Sequence, residues 1–299
     1  MERTSKEEVN IPSIKEIRLE RRRLARQNRK RRIFLNTIYT LIIVAAVAVL
    51  LATLFFPVLQ MSGISMGDVL QTYGEGFIEG NSWNFSFHVP HDVFGMIDLM
   101  GGEGTFVQKL DELFSMHLPE KYYEHNEDIT EECLVGGYVH GNEPSHHVPY
   151  LYAWTSQPWK SQYWLREILN KMYKNDINGL GGNDDCGQMS AWYLFSVMGF
   201  YPVCPGTDQY VLGAPYLPYL KMTLPNGKTL EIKAPGVSDK KRYVQSLKLN
   251  GKVYDKMYIT HEDILKGGVL EFKMGASPNK RRGLSPEDKP YSLTNGSNE

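Results

Sequence analysis

Three short stretches gather carboxylates, histidines and tryptophans: EGFIEGNSWNFSFHVPHD at 75–92, YVHGNEPSHHVPYLY at 138–152 and GGNDDCGQMSAWYLF at 181–195. Chemistry on a carbohydrate needs paired carboxylates for acid and base work, aromatic faces against sugar C–H surfaces, and Asn, His or Gln for the hydroxyls. All three kinds are present. On spacing alone each stretch also has a structural use. Asn183, Asp184 and Asp185 suit a helix N-cap, where a side-chain oxygen accepts from the first free backbone N–H groups. His146 and His147 suit the start of a helix, and Glu143 before Pro144 suits an exposed turn.

The elements that must position these groups fall into two zones. In the first, residues 91–101, 104–116, 159–174 and 186–199 carry apolar residues at helical spacing. Within 159–174, Trp164, Leu165, Ile168, Leu169 and Met172 share one face, the pattern of a core-facing helix. In the second zone, from Tyr210 to Met274, the period changes to two. Met222 and Leu224, then Leu230 and Ile232, alternate with polar residues around Asn226-Gly227, which predicts a β-hairpin. The arrangement repeats around Asn250-Gly251, and GGVLEFKM adds a further strand. The fold class is therefore α+β, with an antiparallel sheet or half-sandwich after the helices. The Pro-, Lys- and Ser-containing tail at 277–299 reads as flexible.

The first 72 residues differ in kind. Residues 33–59 form a run of roughly 27 residues without a charge, against the roughly 20 that cross a bilayer as helix. A transmembrane helix is expected there. The basic arm at 1–32, which contains KEIRLERRRLARQNRKRR, places the N-terminus in the cytoplasm and the chain after about residue 60 outside the cell membrane. Topology accounts for that arm, so no nucleic-acid partner is expected. The chain has 299 residues, 42% hydrophobic and 22% charged, which excludes disorder by composition. Cys133, Cys186 and Cys204 form no CxxC pair, which excludes a disulfide framework or zinc ribbon and leaves the redox compartment open.

Two family resemblances follow. The segment SGISM at Ser62–Met66, after a basic arm and one apolar helix, resembles the start of a bacterial type I signal peptidase; the resemblance implies Ser65 as nucleophile. The proline and threonine-leucine pair of that family are replaced by Gly67, Asp68, Val69 and Leu70, and no lysine base is visible, so Ser65 reads as a linker residue within 60–72. The motifs EGNSW, VPHD, HGNEPSHH, PWK and GNDDCGQMSAWYLFSVMGFYPVCPG occur in the order found in the catalytic half of glycoside hydrolase family 92. That resemblance runs from about Gly74 to Lys280.

It implies an exo-acting, inverting, calcium-dependent α-mannosidase acting on mannose-containing glycans, built on an (α/α)6 barrel with β-sandwich structure. Residues 73–205 then resemble the later part of the barrel and 206–276 its C-terminal β region. Carried over by motif, Glu79 is the general acid and Asp185 the base. Asn142, Glu143 and Asn183 resemble Ca2+ ligands, with Asn183 replacing an aspartate of many members. Trp83, His140, His146 and His147 resemble sugar-contacting residues. A full barrel needs about twelve helices and five or six are legible, so an incomplete catalytic domain is expected. A partner chain that completes the barrel is one expectation, and exposure of the Trp164, Leu165 and Ile168 stripe another. The alternatives are a membrane-anchored serine protease fragment of the type I signal peptidase kind and a non-catalytic, anchored glycan-binding module.

Overall fold

The computed structural model describes residues 77, 80–117 and 133–294, all within the second of two units, Met1–Gly63 and Ile64–Glu299. The basic arm, the apolar run at 33–59, Ser65 with its linker, and Glu79 lie outside the described residues. No described helix is long and apolar enough to cross a membrane. The described part mixes helix and sheet.

Helix α1 (Ser82–Phe85) is one turn long and owes its existence to a capping box. Asn81 Oδ1 accepts from the Trp83 and Asn84 amides at 2.9 and 3.2 Å, while Asn84 Oδ1 accepts from the Asn81 amide at 3.2 Å. Asp92 caps α2 (Val93–Leu99) through the Gly95 amide at 3.1 Å. Helix α3 (Glu103–Ser115) buries Phe106, Val107, Leu110, Leu113 and Phe114 on one face. After it, the hairpin β1 (Leu134–Val135) and β2 (Tyr138–Val139) leads into the HGNEP segment. Two short 3-10 helices follow, Glu143–Ser145 and Val148–Trp154.

Helices α4 (Trp159–Met172) and α5 (Gln188–Met198) complete this zone. The stripe of α4 turns inward: Leu165, Ile168, Leu169 and Met172 are buried, and half-buried Trp164 stacks on Phe114 at 4.8 Å. Each such burial contributes about 1.5–3 kcal/mol. The expectation that this stripe faces an absent half of the barrel is thereby corrected. Its partner is the 3-10 segment Val148–Trp154, every residue of which is buried.

The β zone holds β3 (Phe200–Tyr201), β4 (Gln209–Leu212), β5 (Tyr219–Thr223), β6 (Thr229–Lys233), β7 (Tyr243–Leu249), β8 (Lys252–Val253), β9 (Tyr258–Thr260) and β10 (Gly268–Gly275). The two Asn-Gly hairpins form as the alternation predicts, with Thr223 opposite Thr229 and Leu249 opposite Lys252. Asn250 (φ 52°) and Gly251 (φ 78°) adopt the left-handed pair that a two-residue hairpin turn demands. One expectation needs correcting. The five-stranded sheet runs β5-β6-β10-β7-β8 and is mixed, because β10 lies parallel to β6 with Gly268 opposite Leu230. Strands β3, β4 and β9 form a separate antiparallel sheet. Leu230, Ile232, Val244, Leu247, Leu270 and Phe272 supply the core beneath the larger sheet.

The tail through Thr294 is also held. Ser292 Oγ and Thr294 Oγ1 donate to Asp92 Oδ1 at 2.7 and 2.6 Å, the Thr294 amide donates to it at 3.0 Å, and Trp154 Nε1–H donates to the Tyr291 carbonyl at 3.1 Å. Ser292 is fully buried. Composition made this segment look flexible; three long-range hydrogen bonds to one carboxylate hold it.

Candidate active site

The GGNDDCG loop enters α5 through an unusual backbone. Asp184 accepts the Ser190 amide on its side chain at 2.9 Å, and its main-chain carbonyl accepts the Gly187 and Met189 amides at 3.0 and 3.2 Å. Of the three residues that suited an N-cap, Asp184 is the one whose side chain caps the helix. Between the two ends of this clamp, Asp185 (φ 44°), Cys186 (φ 59°) and Gly187 (φ 100°) are consecutively left-handed. A non-glycine residue there costs roughly 1–2 kcal/mol, and such strain gathers at functional sites. The carboxylate that the motif marks as the base is therefore on a strained loop, and it is exposed.

This loop meets the HGNEP segment backbone to backbone. A Cβ on Gly182 (φ 141°) would come within 2.7 Å of Gly141 Cα, so only glycine permits the approach. Asn142 is 2% exposed, and its Nδ2 has no hydrogen-bond partner. Half-buried Glu143 begins the 3-10 turn and Asn183 is exposed. Burial raises the Tyr201 hydroxyl pKa, the hydrogen bond from Gln188 opposes that shift, and the Glu143 charge adds to it. The Asp185 charge is felt at His146, where it partly offsets burial.

The three histidines assigned to sugar contact are interior residues. His140 is 0% exposed. Its Nδ1 lies 2.9 Å from the Tyr138 hydroxyl and its Nε2 lies 2.8 Å from the Tyr173 hydroxyl. Tyr173 donates to the Met189 carbonyl at 3.3 Å, which leaves His140 Nε2–H as donor to Tyr173 and Nδ1 as acceptor from Tyr138. Both ring nitrogens are thus used, and the ring packs edge-on against Trp192 at 4.3 Å. His146 donates from Nε2 to the His140 carbonyl at 2.9 Å, and His147 from Nε2 to the Phe87 carbonyl at 2.7 Å. They are 2% and 5% exposed. Burial lowers both pKa values to about 4 and keeps the rings neutral.

Trp83 is half-buried beneath the Lys109 ammonium, 5.6 Å from its ring centroid. It borders a small cavity of about 130 Å³ with Met100 and Lys109. A larger cavity of about 570 Å³ lies at the acid loop, lined by Gly182, Asn183, Asp184, Lys174 and Asn178 among others. The two share no lining residue. Glu79 lies outside the described residues, beside Gly80 and the buried cap residue Asn81.

Two residues given no role in the sequence join the site. Gln188 Nε2 donates to His146 Nδ1 and to the Tyr201 hydroxyl, both at 3.3 Å, and so bridges the HGNEP segment and β3. The available signal was a glutamine in the first turn of a helix whose mean composition is apolar. As for a cation, the side-chain oxygens of two amides and a carboxylate are hard donors of the kind calcium takes, while the unpartnered end of buried Asn142 is its Nδ2, a hydrogen-bond donor and not a metal ligand. The residues fit such an ion chemically. Among the described residues, however, no three His, Cys, Asp or Glu side chains gather in metal-binding range.

A strained carboxylate loop thus lies against the GNEP segment, in a helical zone that precedes a β region. Residues 60–276 match the glycosyl hydrolase family 92 catalytic domain. The chain belongs to that family. It is 32% identical over 221 residues to an uncharacterized secreted glycosidase of Arthroderma benhamiae, a match covering 73% of this chain and 26% of that protein. Its structure resembles a family GH92 alpha-mannosidase of Bacteroides thetaiotaomicron at 42% identity and TM-score 0.67, over 74% of this chain and 28% of that one. The same enzyme in complex with mannoimidazole gives TM-score 0.68 at 42% identity, over 74% and 29%. A family GH92 inverting mannosidase of the same organism gives 0.65 at 38% identity, over 75% and 31%. The chain thus spans about a quarter to a third of these relatives' length.

Proposed function

We propose that this chain carries the acid and base of an inverting exo-α-mannosidase acting on terminal mannose of glycans, within an incomplete catalytic domain. The observation that carries the reading is the left-handed Asp185 on a loop held against Gly141 of the HGNEP segment. The helical zone is taken as the later part of an (α/α)6 barrel. Glu79 protonates the leaving glycosidic oxygen while Asp185 draws a proton from water on the opposite face of the ring. In an inverting glycosidase the two carboxyls stand about 6.5–9.5 Å apart, with that water between. Asn142, Glu143 and Asn183 would hold Ca2+, which when bound supplies positive charge to sugar hydroxyls. Buried His146, kept neutral, and Gln188 orient the walls of the site and exchange no proton with substrate.

The proposal retains an anchor at 33–59 with the N-terminus cytoplasmic, so that the site faces glycans outside the cell. No observation favours the serine-peptidase reading: the family match begins at residue 60 and takes in Ser65. The test is to place residues 60–276 into a complete family member and follow hydrolysis of an aryl α-mannoside by proton NMR. β-Mannose must be the first product. First appearance of α-mannose, or no hydrolysis by a folded chimera, overturns the reading.

A further inference from the structure

We infer that Asp184 is the positioning residue of the acid loop, dividing the adjacent pair so that Asp185 reacts and Asp184 holds it. The inference rests on the assignment of Asp185 as base. Asp184 uses both of its acceptors on the first turn of α5: its carboxylate takes the Ser190 amide at 2.9 Å and its carbonyl takes the Gly187 and Met189 amides. The chain must therefore leave Asp184 and return to the same turn within a few residues. A right-handed α-helical path would continue the helix backward and give the Ser190 amide to the Cys186 carbonyl, leaving no place for the Asp184 side chain. Left-handed φ at Asp185, Cys186 and Gly187 closes the loop instead. Gly187 bears this without cost, whereas Asp185 and Cys186 do not, so the clamp must outweigh their strain.

The consequence is directional. Asp184, half-buried, points back onto the helix, while Asp185 is turned outward and exposed. Asp184 Oδ1 is committed to the Ser190 amide on the first turn of the helix, which holds that carboxylate against the chain. Its neighbour stays available to water. The device also fixes Asp185 through backbone conformation alone, so its side chain remains free for substrate.

The role predicts that an amide can replace the Asp184 carboxylate, since Asn also accepts from an N3 amide, whereas no amide can replace a base. In the full chain in detergent, hydrogen exchange followed by mass spectrometry should show the Ser190 amide exchanging at least tenfold faster in Asp184→Ala than in wild type. In Asp184→Asn it should stay protected. In a Cys204→Ser background, which removes the half-buried thiol and leaves Cys133 buried, a fluorinated tag on exposed Cys186 should give one resonance with Asp184 or Asp184→Asn and a shifted one with Asp184→Ala. In the chimeric mannosidase, Asp184→Ala should lower kcat at least tenfold with KM within twofold, and Asp184→Asn should recover most of kcat with an unchanged pH profile.

Unchanged Ser190 exchange in Asp184→Ala overturns the clamp whether or not any turnover is measured. Asp184→Asn as inactive as Asp185→Asn would make Asp184 a reacting group and overturn the division of labour. If instead Asp185→Asn is fully active while the clamp measurements hold, the base assignment fails and the positioning of this loop stands.

Discussion

Gly182 and Gly141 touch through their main chains, and a Cβ on the first would lie 2.7 Å from the Cα of the second. This contact brings the acid loop to the segment carrying Asn142 and Glu143. Gly182→Ala adds that clash to a φ of 141°. Backbone strain and overpacking each cost about 1–3 kcal/mol. Thermal unfolding should therefore fall by several degrees, with loss of turnover in the chimera. Gly227→Ala, at a turn with open space around it, should have the smaller effect.

Acid should destabilise the protein in a defined window. Burial lowers His146 and His147 to about 4 in the fold, against about 6.5 in an unfolded chain. Above pH 6.5 both states are neutral and nothing changes. Below it the unfolded state binds protons first, so stability falls between about pH 6.5 and pH 4, by up to about 1.4 kcal/mol per pH unit for each ring. Urea midpoints from pH 7.5 to 4.5 should show that slope, and His147→Gln should flatten it, though at lower overall stability.

The tail should detach when Asp92 is lost. Burial acts to raise its pKa, but hydrogen bonds from Thr294 and Ser292 and from the Thr294 and Gly95 amides outweigh it and hold the group at about 2. The folded value lies below the ordinary one, so this contribution is complete above about pH 4 and is lost as pH falls toward 2. Asp92→Ala also removes the cap of α2, a loss of about 1–2 kcal/mol. Limited proteolysis should then cut near residues 285–294 many times faster than in wild type. Unchanged cleavage would show that the tail is held elsewhere.

These contacts mark what the sequence discloses. The helices at 93–99, 103–115, 159–172 and 188–198 were legible because periodic burial is written locally, as were both Asn-Gly hairpins. The parallel pairing of β10 with β6 was not, because alternation specifies which face of a strand is buried and not which strand lies beside it. The tyrosine partners of His140 were hidden for a related reason: a histidine hydrogen-bonded to two tyrosine hydroxyls has the same sequence appearance as one that meets a sugar. Ser292 and Thr294 reach Asp92 across some 200 positions, and tail composition carries no trace of that bond.

Calcium should stabilise the chain more than it activates it. A ligand at a hundredfold its Kd adds about 2.7 kcal/mol, so the thermal midpoint in calcium should exceed that in chelator by several degrees, and Glu143→Gln should abolish the difference. Turnover of an aryl α-mannoside by the purified chain should stay below about one per second with or without calcium, since the chain covers only 28% of the matched mannosidase and catalytic groups need a supporting shell. A faster, chelator-sensitive rate would show that this portion suffices.

The central claim is that Asp185 and Glu79 are the base and acid of a mannosidase. It is tested most directly by the turnover of the chimera carrying residues 60–276, measured for wild type, Asp185→Asn and Glu79→Gln at matched thermal stability. The account predicts that each substitution lowers kcat by at least about a hundredfold, the lower range for general acid–base catalysis. A rate within a few-fold of wild type in either variant would contradict it.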